Sequence, residues 1–271
     1  MMRRARLATL GVSVLGIVFV WGRLVDRMIF QPEAGVAILP AQLGIAAEDV
    51  RITTEDGVRI QAFYLAAAGA RRAILFLHGN AGNASHRLPN AAELMRLGCH
   101  VLLLDYRGYG LSEGSPSESG VYADARAGLA HIRDRSGIPE TRTVVFGRSL
   151  GGAVAVDLAQ GRPLAGLILE STFSSAADVA ASAFGAPFAW LARGRFDSTE
   201  KIRKVHAPTL FLHGDRDSIV PMALGRRLFE AAPDPKSFET IAGAGHNDTV
   251  EVGGRAYFER IRRFLDEVAP D

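Results

Sequence analysis

Two stretches of this sequence set a serine between glycines in the pattern G-x-S-x-G: Gly110–Gly114 around Ser112 and Gly147–Gly151 around Ser149. A serine hydroxyl becomes a nucleophile only when a histidine takes its proton and a carboxylate orients that histidine. It must also stand on a sharp strand-to-helix turn, which leaves no room for flanking β-carbons. Ser112 leads into Gly114-Ser115-Pro116, which does not start a helix. Ser149 follows the apolar run Thr143–Phe146 and opens the small-residue stretch Leu150-Gly151-Gly152-Ala153-Val154-Ala155. Ser149 is therefore the better nucleophile candidate, with helix N–H groups beside it to stabilise an oxyanion. The residue after the nucleophile, Leu150, supplies one of those N–H groups. The plainer alternative is a serine that only caps a helix.

A base and an acid are needed downstream. His246 lies in the Gly-rich loop Gly243-Ala244-Gly245-His246-Asn247-Asp248, just before the last helical stretch, and is the base candidate. His78 and His213 end apolar runs before a glycine and are expected to make structural hydrogen bonds. His86, His100, His131 and His206 read as surface or packing residues. For the acid, Asp215 and Asp217 share one turn after the run Thr209–Leu212, and the residues alone leave the choice open. No His/Asp/Glu spacing suggests a closed metal site.

The elements that must position these groups are legible as an alternation. Asp49–Thr54 and Val58–Leu65 alternate apolar and polar around Glu55-Asp56-Gly57, which predicts a hairpin. Continuous apolar runs at Ala73–Leu77, Val101–Leu104, Thr143–Phe146, Leu164–Leu169 and Thr209–Leu212 have the pattern of central parallel strands. Helical stretches are expected at Ala84–Leu97, Ser119–Arg135, Leu150–Gln160, Met222–Ala231 and Arg255–Val268. The result is an α/β protein, a mainly parallel sheet with helices on both faces and ligand loops at the strands' carboxyl ends. Ser174–Val205 is too long for one crossover helix and reads as a small cap insertion. Its Phe184, Phe188 and Trp190 either line an apolar substrate pocket or bury themselves.

Composition narrows the function classes. The chain has 271 residues and a net charge of +2, but residues 1–27 alone carry +4, so the remainder is slightly acidic. It contains no basic run, which argues against a nucleic-acid partner. Cys99 is the single cysteine, which excludes an intrachain disulfide framework and a cysteine-rich metal site. From Leu7 to Gly22 no residue is charged, with Arg3, Arg4 and Arg6 before the run and Arg23 after it. As a helix this run spans ~24 Å, and Arg6, Arg23 and Trp21 suit it to bridge a bilayer. A retained single-pass anchor over residues 1–30 is expected, ahead of a catalytic body over 31–271. A cleaved signal peptide and a core helix are the alternatives. The positive-inside rule then places the body on the non-cytoplasmic side.

The ordered motifs HGNAGN (His78–Asn83), DYRGYG (Asp105–Gly110), GRSLGG (Gly147–Gly152), LHGDRDSIVP and GAGHND resemble the α/β-hydrolase superfamily. With the N-terminal run and Phe30-Gln31-Pro32, the chain is most similar to single-pass membrane-anchored serine hydrolases, the serine aminopeptidase-like, depalmitoylase-related branch. The resemblance spans nearly the whole chain. It implies an α/β-hydrolase fold with a mainly parallel eight-stranded sheet. It assigns the acid to Asp217, leaving Asp215 as a turn residue, and the second oxyanion N–H to Asn80. A less usual arrangement would put the acid at Glu170. Asp105 and Arg107 read as loop-ordering residues, and Arg148 as an ion-pair partner of an acid such as Glu170. The implied activity is hydrolysis of a carboxylic ester, thioester or amide through an acyl-enzyme. The substrate would be a small or acylated molecule, with no cofactor and the lipid membrane as partner. A haloalkane dehalogenase would need an aspartate where Ser149 stands. The alternative from another class is a non-catalytic, membrane-tethered binding protein of the same fold.

Overall fold

The computed structural model describes residues 26–270. The expected apolar span at residues 7–22 lies outside them, and among the described residues no helix is long and apolar enough to cross a membrane. A two-residue strand β1 (Gln31–Pro32) precedes the hairpin of β2 (Glu48–Thr53) and β3 (Arg59–Leu65). The parallel strands are β4 (Arg72–Leu77), β6 (Cys99–Leu104), β7 (Thr143–Arg148), β8 (Gly166–Glu170), β9 (Thr209–Gly214) and β10 (Lys236–Ile241). The short β5 (Ala81–Gly82) pairs with β1 outside the main sheet. That sheet has eight strands in the order β10-β9-β8-β7-β4-β6-β3-β2, with β3 and β2 antiparallel at one end.

Every residue of β4, β7, β8 and β9 is buried, which is why those strands are continuous apolar runs rather than alternating ones. β2, at the edge, alternates as expected. A helical turn α1 covers residues 26–29. The longer helices are α2 (Leu88–Arg96), α3 (Glu118–Ser136) and α4 (Leu150–Ala159), followed by α5 (Ala176–Phe184), α6 (Ser198–Ile202), α7 (Met222–Ala231) and α8 (Thr249–Val268). α3, α4 and α7 pack Leu129, Val154 and Leu228 on one face of the sheet, and α2 and α8 pack Leu94, Ile261 and Phe264 on the other. Ser117 caps α3 by accepting from Gly120 N, and Gly137 ends it in the left-handed region at φ 74°.

Three elements differ from the sequence reading. The helix expected at Ala84–Leu97 opens with a 3-10 turn over Ala84–Arg87, because Asn83 Oδ1 accepts from Ser85 N and tightens the start. β10 escaped the search for apolar runs because it is a half-buried edge strand reading Lys-Ser-Phe-Glu-Thr-Ile. The last helix begins at Thr249, six residues earlier than expected, and is broken at Gly254 (φ 50°, ψ −132°).

The DYRGYG loop is held by a buried charge. Arg107 donates to both carboxylate oxygens of Asp56 at 2.7 and 2.9 Å and through Nε to Asp124 at 2.9 Å. Its backbone N–H donates to the other Asp124 oxygen at 2.8 Å, and Asp124 is fully buried. Arg107→Ala removes the cation and leaves that buried carboxylate with a backbone N–H but no counter-charge. The expected cost is about 3–5 kcal/mol, read as a lowered urea midpoint, with Arg107→Lys recovering only part because an ammonium does not fork to two carboxylates.

Candidate active site

β7 ends in Gly147-Arg148, and the chain turns at Ser149 directly into α4. Ser149 adopts φ 53°, ψ −117°, a conformation that costs a non-glycine residue about 1–3 kcal/mol. Its backbone is fixed on both sides. The N–H donates to Glu170 O at 2.8 Å, and the carbonyl accepts from Thr172 Oγ1 and Gly152 N, each at 2.9 Å. The turn is possible because α4 starts hard against the end of β4: a β-carbon at Gly151 would lie 2.0 Å from the Leu77 carbonyl oxygen.

The side chains expected to cooperate do converge. His246 Nε2 lies 3.1 Å from Ser149 Oγ, and His246 Nδ1 lies 2.8 Å from Asp217 Oδ2. Asp217 Oδ1 accepts from Ile219 N at 3.0 Å and Val220 N at 2.8 Å, so both oxygens are fixed. His213 Nε2 stands 2.9 Å from the Val220 carbonyl oxygen, a contact that requires an N–H there, and 3.4 Å from Asp217 Oδ2. Burial pushes the Asp217 carboxyl up. Hydrogen bonds from His213, His246 and Val220 N outweigh burial and hold it well below the usual carboxylate range. Asp215 points elsewhere and accepts from Gly243 N at 2.7 Å, tying its turn to the loop that carries His246. The two loops touch at Gly214, where a β-carbon would lie 2.3 Å from Ala244 O.

Glu170 does not reach His246. It accepts from Arg148 Nε at 3.2 Å, from Tyr257 OH at 2.7 Å and from Thr249 Oγ1. Arg148 pairs with it as the sequence suggested, but also does something the sequence did not reveal. Its Nη2 donates to the His246 carbonyl at 2.5 Å and to Asn247 Oδ1 at 3.2 Å. Ser112 is no rival nucleophile, because its hydroxyl donates to Asp105 O and accepts from Gln61 N. His78 bridges Gly79 O (2.7 Å) and Asp105 Oδ1 (3.2 Å), a structural link as expected.

Ser149 and His246 lie on a cavity of about 420 Å3. Asn80 and Leu150 line it beside them, as do Phe184 and Phe188 from the insertion. Trp190 is a correction: it is not among the lining residues and stays 65% exposed, because on the 3-10 segment Ala186–Ala192 it is Leu191 and Ala192 that face the cavity. Phe184 and Phe188 are not self-buried either, at 71% and 47% exposed. Arg87 also lines the cavity and was not singled out from the sequence. Met28 and Ile29 complete one wall. Residues 26–30, grouped with the anchor by the sequence reading, therefore pack on the body. Phe30 is buried edge-on against Phe196 at 6.0 Å, Asp26 pairs with Arg195, and Asn80 Nδ2 donates to Ile29 O.

A family profile described as serine aminopeptidase, S33, matches residues 68–200. An uncharacterized protein of Mycobacterium tuberculosis is 42% identical over 256 residues, covering 93% of this chain and 91% of that protein. The α/β-hydrolase domain-containing protein WAV2 of Arabidopsis thaliana is 36% identical over 258 residues, covering 86% of this chain and 83% of WAV2. Among solved structures, an esterase of Pyrococcus furiosus superposes with a TM-score of 0.75 at 23% identity, covering 89% of this chain and 98% of the esterase. At that identity it speaks to the fold alone.

The geometry around Asp217 fixes the sign of a pH effect. A carboxylate whose folded pKa is depressed contributes stability above its unfolded pKa of about 3.9 and loses it as pH falls through the folded value. Asp217→Asn is therefore expected to be less stable than the native chain at neutral pH. The gap between their urea midpoints should narrow once the pH drops below about 4.

Proposed function

The chain belongs to the α/β-hydrolase family, and from that membership, together with the match of residues 68–200 to the profile described as serine aminopeptidase, S33, we propose that it is a serine hydrolase working through an acyl-enzyme. The observation that carries the reading is the line from Asp217 through His246 to Ser149, with contacts of 2.8 and 3.1 Å, on the wall of an apolar cavity. Ser149 Oγ attacks the substrate carbonyl while His246 Nε2 takes its proton. Asp217, anionic and held by two backbone N–H groups, keeps the Nδ1 proton in place and stabilises the imidazolium that forms. The N–H groups of Leu150 and Asn80 receive the oxyanion. His246 then protonates the leaving group and, by the reverse transfer, activates the water that frees the acid.

The substrate class follows from the walls. Phe173, Val179, Phe184, Phe188 and Leu191 supply aliphatic and aromatic surface, which suits the acyl side of a carboxylic ester, thioester or amide. In this reading residues 7–22 tether the enzyme to a membrane, with the body on the non-cytoplasmic side.

Two experiments test the reading. A fluorophosphonate probe should label the native chain and Ser112→Ala but not Ser149→Ala, since only Ser149 stands within reach of a base; labelling that survives Ser149→Ala removes the assignment. For the acyl side, Phe188→Ala should raise KM along a series of p-nitrophenyl esters in proportion to chain length, at about 0.8 kcal/mol for each buried CH2 that loses its contact. An equal loss on the acetate ester would mean damaged folding rather than a lost wall.

A further inference from the structure

The rim of the cavity is more apolar than a mouth open to water needs to be. Met28, Phe184, Phe188 and Ile219 line the cavity and are 63, 71, 47 and 54% exposed, and Trp190, at 65%, projects from the same insertion. These five make up the greater part of the large apolar side chains left exposed among the described residues; Leu39, Leu43, Leu111 and Val252 lie elsewhere in the sequence. Single exposed apolar residues are ordinary, but a cluster around one opening marks a binding surface. Phe184 and Phe188 cover each other only in part, their rings 6.0 Å apart.

Chain geometry says what covers it. The uncharged run ends at Gly22, four residues before Asp26. At no more than ~3.6 Å per residue, the end of that run stands within about 14 Å of residue 26, whatever path the chain takes between them. Residue 26 is anchored to the body through Arg195, and Met28, two residues on, is part of the rim. A bilayer that takes up residues 7–22 is thereby brought to the mouth of the cavity rather than to some other side of the body. The flanking charges agree: Arg23 and Arg27 precede the rim, and Arg193 stands exposed beside Trp190, the cations and the aromatic ring that favour a lipid headgroup layer.

We propose that the cavity mouth is a bilayer-docking surface, with Met28, Phe184, Phe188, Trp190 and Ile219 lying in the interfacial layer of the membrane that holds residues 7–22. The docking is independent of any chemistry at Ser149. Its consequence, that acyl chains pass from the lipid into the cavity without crossing water, rests on the hydrolase reading above. Apolar side chains on such a face enter the headgroup–acyl boundary by about 5–10 Å.

The chain has two tryptophans, Trp21 in the uncharged run and Trp190 on the insertion that carries Phe188, which allows each to be read alone. The full chain is reconstituted as Trp21→Phe and, separately, as Trp190→Phe, in phosphatidylcholine–phosphatidylglycerol vesicles whose acyl chains are brominated near the headgroup. The proposal expects Trp190 in Trp21→Phe to lose most of its emission relative to unbrominated vesicles and to be shielded from aqueous acrylamide. Trp21 in Trp190→Phe should be quenched as well. Quenching of Trp21 without Trp190 would mean a tether with an undocked body and overturns the proposal. So does quenching of neither. A Trp190 shielded from acrylamide yet untouched by bromine would be covered by protein, whether residues 7–22 or a second copy, and overturns it too. None of these readouts depends on activity, and fluorophosphonate labelling of the same samples reports on Ser149 separately.

Discussion

A helix that begins in van der Waals contact with the end of a neighbouring strand leaves no space for a side chain, and the site is built around that contact. The Leu77 carbonyl occupies the position a β-carbon would take at residue 151. Ser149 is forced to φ 53° because α4 must start there and nowhere else. The same contact brings the two proposed oxyanion donors together. Leu77 ends β4 and runs straight into His78-Gly79-Asn80, and a β-carbon on Gly79 would stand 3.4 Å from that of Ser149. The proposed nucleophile and the proposed oxyanion loop are thus neighbours by packing before any substrate arrives, which is the preorganisation such donors would need. The strain at Ser149 persists because its N–H and carbonyl are both bonded to the buried segment Glu170–Thr172 and to the first turn of α4.

The proposed acid and base, Asp217 and His246, come from a different part of the sheet, and two contacts bring them to Ser149. At Gly214 the turn after β9 meets Ala244 backbone to backbone, which sets Asp217 and His246 side by side. Arg148 then fixes their distance to Ser149. It occupies the residue before the nucleophile, takes its counter-charge from Glu170, and donates to the carbonyl of His246 itself. A buried ion pair adds little net stability compared with apolar packing of the same volume. What this one provides is position: the guanidinium is a rigid spacer between the elbow and the loop of the base. Glu170 in turn is saturated by Tyr257 and Thr249 at the start of the last helix. Burial, then the negative charge of Glu170, push the Tyr257 hydroxyl far above its ordinary range, so it remains a donor.

Much of this was readable from residue type and order. Parallel strands buried on both faces advertise themselves as unbroken apolar runs, and the glycine spacing around Ser149 reflects a steric requirement that the Leu77 contact makes explicit. Asp215 and Asp217 were not separable from local pattern, because both sit in one polar turn. Both reach the loop after β10, but Asp215 accepts from the Gly243 N–H there while only Asp217 meets the His246 imidazole, and that is a tertiary fact. β10 itself was invisible for a related reason: an edge strand needs only one apolar face, and Phe238 and Ile241 are too few to mark it. The role of Arg148 toward His246 spans 98 residues and has no local trace, although its pairing with Glu170 could be guessed from adjacent strand ends. The division at residue 30 followed composition, which changes there, whereas packing does not.

The segment at that division is part of the site's framework. Asn80, whose backbone is a candidate oxyanion donor, has its side chain fully engaged: Nδ2 donates to Ile29 O, and Oδ1 accepts from Gln31 N and Tyr109 OH, each at 3.0 Å. Pro32 and Gly82 pair in register, and Asn83 Nδ2 reaches the carbonyls of Glu33 and Gly35. Tyr106, from the same loop as Tyr109, donates to His78 O at 3.0 Å. Three motifs far apart in the sequence, Phe30-Gln31-Pro32, HGNAGN and DYRGYG, therefore form one hydrogen-bonded unit behind the oxyanion loop. Burial pushes the Tyr109 hydroxyl up, so it stays protonated and able to donate to Asn80 at neutral pH. That unit reaches residue 29 with no spacer between, so the segment from residue 26 onward packs directly behind the loop proposed to bind the oxyanion.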